Sequence, residues 1–264
     1  MTSDRVLAIF AHPDDESIVA GGTLAACAAT GIDTIILCVT RGEQGPIAHP
    51  DLATRETLGA VREAELRAAA RALNVATVDC RGYADGELGW SKKTELKADI
   101  RHALERWRPD AVITFGPEGL YWHPDHIAVH DFTMAVLDSM TDDGFSPWVY
   151  HATYPKGRMA ALVSAMASRG LATNLWNLDP DAFGVRPGSI TTVVDIRAFL
   201  APKLRALRSH RSQLATDHLL QVMPDDIAAE FLGHEYFVRV RPRDATGDWL
   251  ANVIKSGRTA ESTR

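Results

Sequence analysis

The 264-residue chain carries 28 Lys and Arg against 34 Asp and Glu, a formal net charge of −6, with 46% hydrophobic and 23% charged residues. That balance excludes a disordered or collagen-like chain, and the acidic excess argues against nucleic-acid binding, whose affinity comes from clustered Lys and Arg. Three scattered cysteines, Cys27, Cys38 and Cys80, read as small buried hydrophobes in a reducing compartment rather than as a disulfide framework or a cysteine metal site.

The first apolar run, Val6 to Ala11, is too short for a signal-peptide core or a membrane span, so a cytoplasmic chain without a membrane span is expected. Continuous apolar runs at Val6–Ala11, Thr34–Val39 and Ala111–Phe115, with a weaker one at Val75–Cys80, suggest strands buried on both faces. Helical spacing marks Ser17–Ala29, Thr54–Leu73, Leu96–Trp107 and Ile127–Leu137. Strand and helix alternating at this spacing predict βαβ crossovers and an α/β fold: a doubly wound, mostly parallel sheet with helices on both faces. From 142 to 188 Gly and Pro break the pattern, and only Met159, Leu162, Val163 and Met166 keep a helical stripe. A strand at Thr191–Ile196, a helix at Ala198–Leu214 and a strand at Tyr236–Val240 follow. Nothing after Asp248 is expected to be compelled into order, and 256–264 reads as a frayed tail. The whole of 1–264 is taken as one domain, within which 142–188 is either a substrate-covering lid or a small satellite core.

Two polar clusters follow strands. Ala11-His12-Pro13-Asp14-Asp15-Glu16 ends the first, where an open α/β sheet places its ligands. The Asp-Asp-Glu run reads equally as a helix cap, but His12 has no role in a cap. Tyr121-Trp122-His123-Pro124-Asp125-His126 follows the fourth strand, with both histidines on one face of a helix opened by Pro124. Two His-Pro-Asp clusters on one parallel sheet can supply His12, Asp15 and His126 as a two-histidine, one-carboxylate metal set with open positions. Asp14 and His123 are then left unligated as an acid/base pair. The Gly-rich turn of a nucleotide-binding fold is absent from the first loop. A metal-dependent sugar-binding module without catalysis is the contrasting reading, against which Asp14 and His123 argue.

AHPDDE near the N-terminus, VTRGEQG after the second strand, VREAELRAAARALNV and FGPEGLYWHPDH together resemble the LmbE-like (PIG-L) family of zinc-dependent N-acetylglucosaminyl deacetylases. The resemblance is strongest over about residues 5–130 and is extended by HRSQL at His210–Leu214. It implies a Rossmann-like fold, with His12, Asp15 and His126 as zinc ligands and Asp14 as the base that takes a proton from water. It also implies that His123 and Tyr121 face the tetrahedral intermediate, that Asp125 orients a histidine, and that Arg62 and Asp85 hold sugar hydroxyls. Read from the residues alone, Arg62 is a solvated helix charge, Asp85 a turn residue before Gly86 and Tyr121 a packed loop aromatic.

Where the family often has glycine this chain has Trp122, expected to narrow the site or to offer the substrate an apolar platform. With the aromatic residues of 142–188 it leads to the expectation of a glycopeptide-antibiotic pseudoaglycone as the small-molecule glycoside substrate. A mycothiol- or bacillithiol-type precursor is the alternative. The chemistry is consistent with any of these: zinc polarises the amide carbonyl and acidifies water, and a nearby carboxylate takes the proton. The same ligand set also suits another divalent ion such as Fe2+.

Overall fold

A computed structural model describes residues 3–141, 144–242 and 246–261, with side chains through 255. Five strands run parallel: β1 (Arg5–Phe10), β2 (Asp33–Thr40), β3 (Thr77–Tyr83), β4 (Ala111–Phe115) and β5 (Trp148–Thr153). Two more, β6 (Thr192–Asp195) and β7 (His234–Arg241), close the sheet antiparallel, giving the order β3-β2-β1-β4-β5-β7-β6. β1, β2 and β4 are predominantly apolar because helices cover both faces, and their side chains are buried almost without exception. α2 (Gly21–Ala29), α3 (Leu58–Ala72) and α8 (Leu200–Ser209) form one layer, while α4 (Lys93–Trp107) and α6 (Pro124–Ser139) pack together in the other.

The structure departs from the expected elements at four places. The helix expected over Ser17–Ala29 breaks at Ala20, leaving α1 (Asp15–Val19) before α2. Buried Glu235 accepts the Gly22 and Thr23 N–H groups at 2.8 and 2.7 Å and so creates a second helix start, which Lys203 Nζ neutralises at 2.5 Å. A Cβ on Gly22 would come within 2.6 Å of Ile196, so only glycine admits this approach of α2.

The irregular segment holds an interior strand, β5, and α7 (Arg158–Ser168), whose Met159, Leu162 and Met166 are core residues. Its apolar stripe is therefore part of the main core. The helix expected to reach Leu214 ends at Ser209, where His210 begins a turn. Past Asp248 the chain forms α11 (Trp249–Glu261), which buries Leu250 and Ile254, so its first turns are tied to the core. Of the tail expected at 256–264, residues 262–264 lie outside the described residues.

Candidate active site

Strand order reverses about β1: the chain builds through β2 to β3 on one side and through β4 to β5 on the other. The two diverging crossovers leave a crevice beyond the carboxyl ends of β1 and β4. His12–Asp15 enter it from the loop after β1. Tyr121–His126 enter it from the irregular turn α5 (Gly119–Trp122) and the start of α6. The sequence-expected residues His12, Asp14, Asp15, Asp85, Tyr121, His123, Asp125 and His126 are brought together here, and Arg62 joins them from α3.

His12 Nδ1 lies 3.2 Å from His126 Nε2 and 3.5 Å from Asp15 Oδ2, and His126 Nε2 lies 3.3 Å from Asp15 Oδ1. These spacings are close to the edge of a tetrahedron with zinc–ligand bonds of about 2.0–2.1 Å. The outer nitrogens are used elsewhere. His12 Nε2 faces Asp85 Oδ1 at 3.0 Å and Asp125 Oδ2 at 3.3 Å, and His126 Nδ1 faces the Gly119 carbonyl at 3.2 Å. With protons on those outer atoms, two imidazole lone pairs and Asp15 Oδ1 point at one another, an arrangement that a cation satisfies, while Asp15 Oδ2 accepts the His12 backbone N–H at 2.8 Å. The nitrogens of His12, His123 and His126, and the ligand atoms of His12, Asp85 and Asp125, also cluster within 4.8 Å. In the latter set, however, Asp125 already accepts the Gly86 and Leu88 N–H groups at 2.7 and 3.1 Å, and Asp85 that of Gln44 at 2.8 Å.

The electrostatics point the same way. Burial pushes the His12 imidazole down, but the hydrogen bonds that Asp125, Asp15 and Asp85 accept from it more than reverse this and hold it well above its usual range. Burial also opposes ionisation of Asp85, yet the His12 hydrogen bond and charge bring it to about 2. A divalent ion at the inner nitrogens would displace the proton that the carboxylates otherwise recruit.

Asp14 has φ 127°, a region that side chains rarely adopt. Burial raises its carboxyl to about 6, against the opposing pull of Arg62. Arg62 is buried, contrary to a solvated helix charge. Its Nη2 donates to Asp14 Oδ2 at 3.0 Å and to the Pro13 carbonyl at 2.6 Å, and its Nη1 to the Gly42 carbonyl at 2.8 Å. Room for the guanidinium comes from two glycines: a Cβ on Gly42 or Gly45 would lie 2.3 or 2.4 Å from Nη1. Arg62 could not be placed from a helical wheel, because its partners come from loops distant in sequence.

His123 Nδ1 accepts the Asp125 N–H at 3.2 Å, and burial with the nearby His126 and His12 lowers the imidazole to about 4. It is therefore neutral, with Nε2–H as its donor. Tyr121 sits edge-on to His126 and His123 at 5.3 and 5.7 Å between ring centres, and burial keeps its phenol protonated. Trp122 is 66% exposed at φ 67° and does not line the cavity, so it neither narrows the site nor offers it a platform. The left-handed backbone there accounts for the family's glycine.

The cavity above these residues encloses about 700 Å³. Its lining also includes Asn174, Trp176, Asn177, Gln213 and His218, of which only Trp176 was expected from the sequence, as one of the aromatic residues of 142–188. Three loops are latched there: Trp176 Nε1 donates to the Gln213 carbonyl at 3.1 Å, Gln213 Nε2 to Pro46 at 2.9 Å, and the Ala48 N–H to Ser212 at 2.8 Å. Trp176 and Asn177 both take positive φ, 51° and 58°. Their only sequence signals are the aromatic in an irregular stretch and the HRSQL run.

The family model described as GlcNAc-PI de-N-acetylase, PIG-L, matches residues 7–137. A 1D-myo-inositol 2-acetamido-2-deoxy-alpha-D-glucopyranoside deacetylase of Thermobispora bispora is 33% identical, the match covering 90% of this chain and 88% of that protein. Among solved structures, an N,N'-diacetylchitobiose deacetylase from Pyrococcus horikoshii superposes with a TM-score of 0.61 at 25% identity, covering 90% of this chain and 82% of that one. A pseudoaglycone deacetylase for the antimicrobial A40926 matches at 19% identity with a TM-score of 0.57, covering 89% and 95%, a likeness of fold alone.

Proposed function

Because the chain belongs to the PIG-L family of de-N-acetylases, we propose that it is a zinc-dependent hydrolase that removes acetyl from an N-acetylglucosaminyl unit linked to a cyclitol, as in a mycothiol-type precursor. The chain is a metal-dependent hydrolase of this deacetylase family; the zinc and the cyclitol are what is proposed. The observation that carries it is the convergence of His12, Asp15 and His126 at 3.2–3.5 Å beside the half-buried Asp14. The expectation of an antibiotic pseudoaglycone gives way to its alternative. Relatives above 30% identity act on an inositol-linked sugar by their names, whereas the antibiotic enzyme resembles the chain only in fold.

His12, Asp15 and His126 would hold the zinc, which when bound would supply Lewis acidity to the amide carbonyl and to water. Asp14 Oδ2 is fixed by Arg62, which leaves Oδ1 to take the proton of the attacking water; a carboxyl near 6 suits that task at neutral pH. His123 Nε2–H and the Tyr121 hydroxyl donate to the oxygen that gains charge as the carbonyl carbon becomes tetrahedral. When the C–N bond breaks, the proton held on Asp14 passes to the departing amine nitrogen, and acetate leaves. Asp85 and Asp125 keep the proton of His12 on Nε2.

The test is acetate release from an N-acetylglucosaminyl-inositol, from free N-acetylglucosamine and from an N-acetylglucosaminide bearing a long acyl chain. The inositol conjugate should be cleaved with the highest kcat/KM, chelation should abolish the activity and zinc restore it. Preference for the acylated compound would return the antibiotic reading, and no acetate from any of the three would overturn the deacetylase.

A further inference from the structure

Asp14 can act as a base only if it stays in a backbone conformation that an aspartate does not adopt unaided, and something must hold it there. Its carbonyl is occupied by the first turn of α1, accepting the Ser17 and Ile18 N–H groups at 3.0 Å each. Its N–H donates to Glu16 Oε2 at 3.0 Å. Glu16 is itself buried, 1% exposed, and its other oxygen, Oε1, accepts from His210 Nε2 at 2.9 Å and from Ser17 Oγ at 2.5 Å. His210, also 1% exposed, comes from the turn after α8, 194 residues further along the chain.

Neither Glu16 nor His210 is used by the mechanism above, and neither lines the cavity. A buried ion pair adds little net stability over an apolar pair of the same volume, so tethering α1 to α8 does not by itself call for one. What an apolar pair could not do is accept the Asp14 N–H.

We propose that Glu16 and His210 are positioning residues for the reaction: His210 fixes the Glu16 carboxylate, which pins the Asp14 N–H and so presents the Asp14 side chain to Arg62 and the cavity. This rests on Asp14 as the base.

Three variants separate positioning from mere packing. Glu16→Leu and His210→Phe keep volume and remove the hydrogen bonds. Glu16→Gln keeps an acceptor for Asp14 N–H, and His210 can carry its proton on Nδ1, which has no partner, so as to accept from the new amide. Turnover should fall by about tenfold or more in Glu16→Leu and His210→Phe, as expected for a displaced catalytic group. KM should stay within about threefold and bound metal should be unchanged, while Glu16→Gln recovers most of kcat. Independently of activity, a crystal structure of Glu16→Leu should show Asp14 out of its positive-φ conformation and away from Arg62. Full turnover in Glu16→Leu with an inactive Asp14→Asn would overturn the positioning role alone. So would an Asp14 that has not moved, or an equal loss in all three variants accompanied by loss of metal. Full turnover in Asp14→Asn would overturn the base assignment and the positioning role together.

Discussion

On one side of the cavity His12, Asp15, Asp85, Asp125 and His126 touch at 3.0–3.5 Å, and they come from loops after strands and from the first turns of α1 and α6. On the other, Asn174, Trp176, Asn177, Gln213 and His218 are neutral side chains on loops of the second half, latched to one another largely through backbone carbonyls. The charged side orients one cation and one base; the neutral side offers hydroxyl-sized partners and an aromatic face. If the proposed mechanism holds, chemistry falls to the first set and substrate selection to the second, and substitutions in the two should have different kinetic signatures.

The sharpest break should come from Arg62→Ala. It leaves the half-buried Asp14 without its cation and frees Oδ2, so kcat should fall by about a hundredfold or more while metal is retained. On the opposite wall, Trp176→Ala should raise KM for an inositol-linked substrate by roughly tenfold and leave free N-acetylglucosamine almost unaffected, as measured by steady-state acetate release. A comparable fall in kcat for both substrates would mean that the two sides are not separable.

The neutral wall should also be a weak point in acid. His218 is buried and lowered to about 4, so between that value and the unfolded value of about 6.5 the unfolded chain binds more protons than the folded one. Stability is therefore complete above about pH 6.5 and falls as pH drops toward 4, by about 3 kcal/mol from this residue. His151, lowered to about 3 by burial and by His130, adds to the same limb. His218→Asn keeps an acceptor for the Leu220 N–H and cannot titrate. In denaturant titrations at pH 7 and pH 4.5 it should flatten the difference seen in the parent chain. The smallest effect is expected outside both walls: Trp122→Gly relieves a left-handed backbone and should stabilise by about 1 kcal/mol or less, read as a rise in Tm with kcat/KM unchanged.

The charged side was legible because its residues sit in two short motifs beside apolar runs. The strands that carry them are continuous, and His12, Asp15 and His126 meet where strand order reverses. The neutral wall was not. Trp176 and Gln213 are 37 residues apart and meet only through a hydrogen bond to a main-chain carbonyl, which leaves no periodicity. β5 was hidden because Pro147 precedes it and His151 interrupts its apolar run, although β4 and β7 flank it and bury it. Arg62 looked solvated because a helical wheel shows what lies on its own helix and not the loop that folds over it. α11 was missed because only Leu250 and Ile254 of its described side chains are buried, a single pair four residues apart that is too short a stripe to mark a helix.

The division between holding the metal and moving the proton is tested most directly by measuring bound zinc and kcat together in Asp14→Asn and His12→Ala. Asp14→Asn should keep about one equivalent of zinc and lose about 10²–10⁴-fold in kcat, whereas His12→Ala should lose the metal and its activity with it. Turnover that survives in Asp14→Asn, or zinc that stays in His12→Ala with activity intact, would contradict the account.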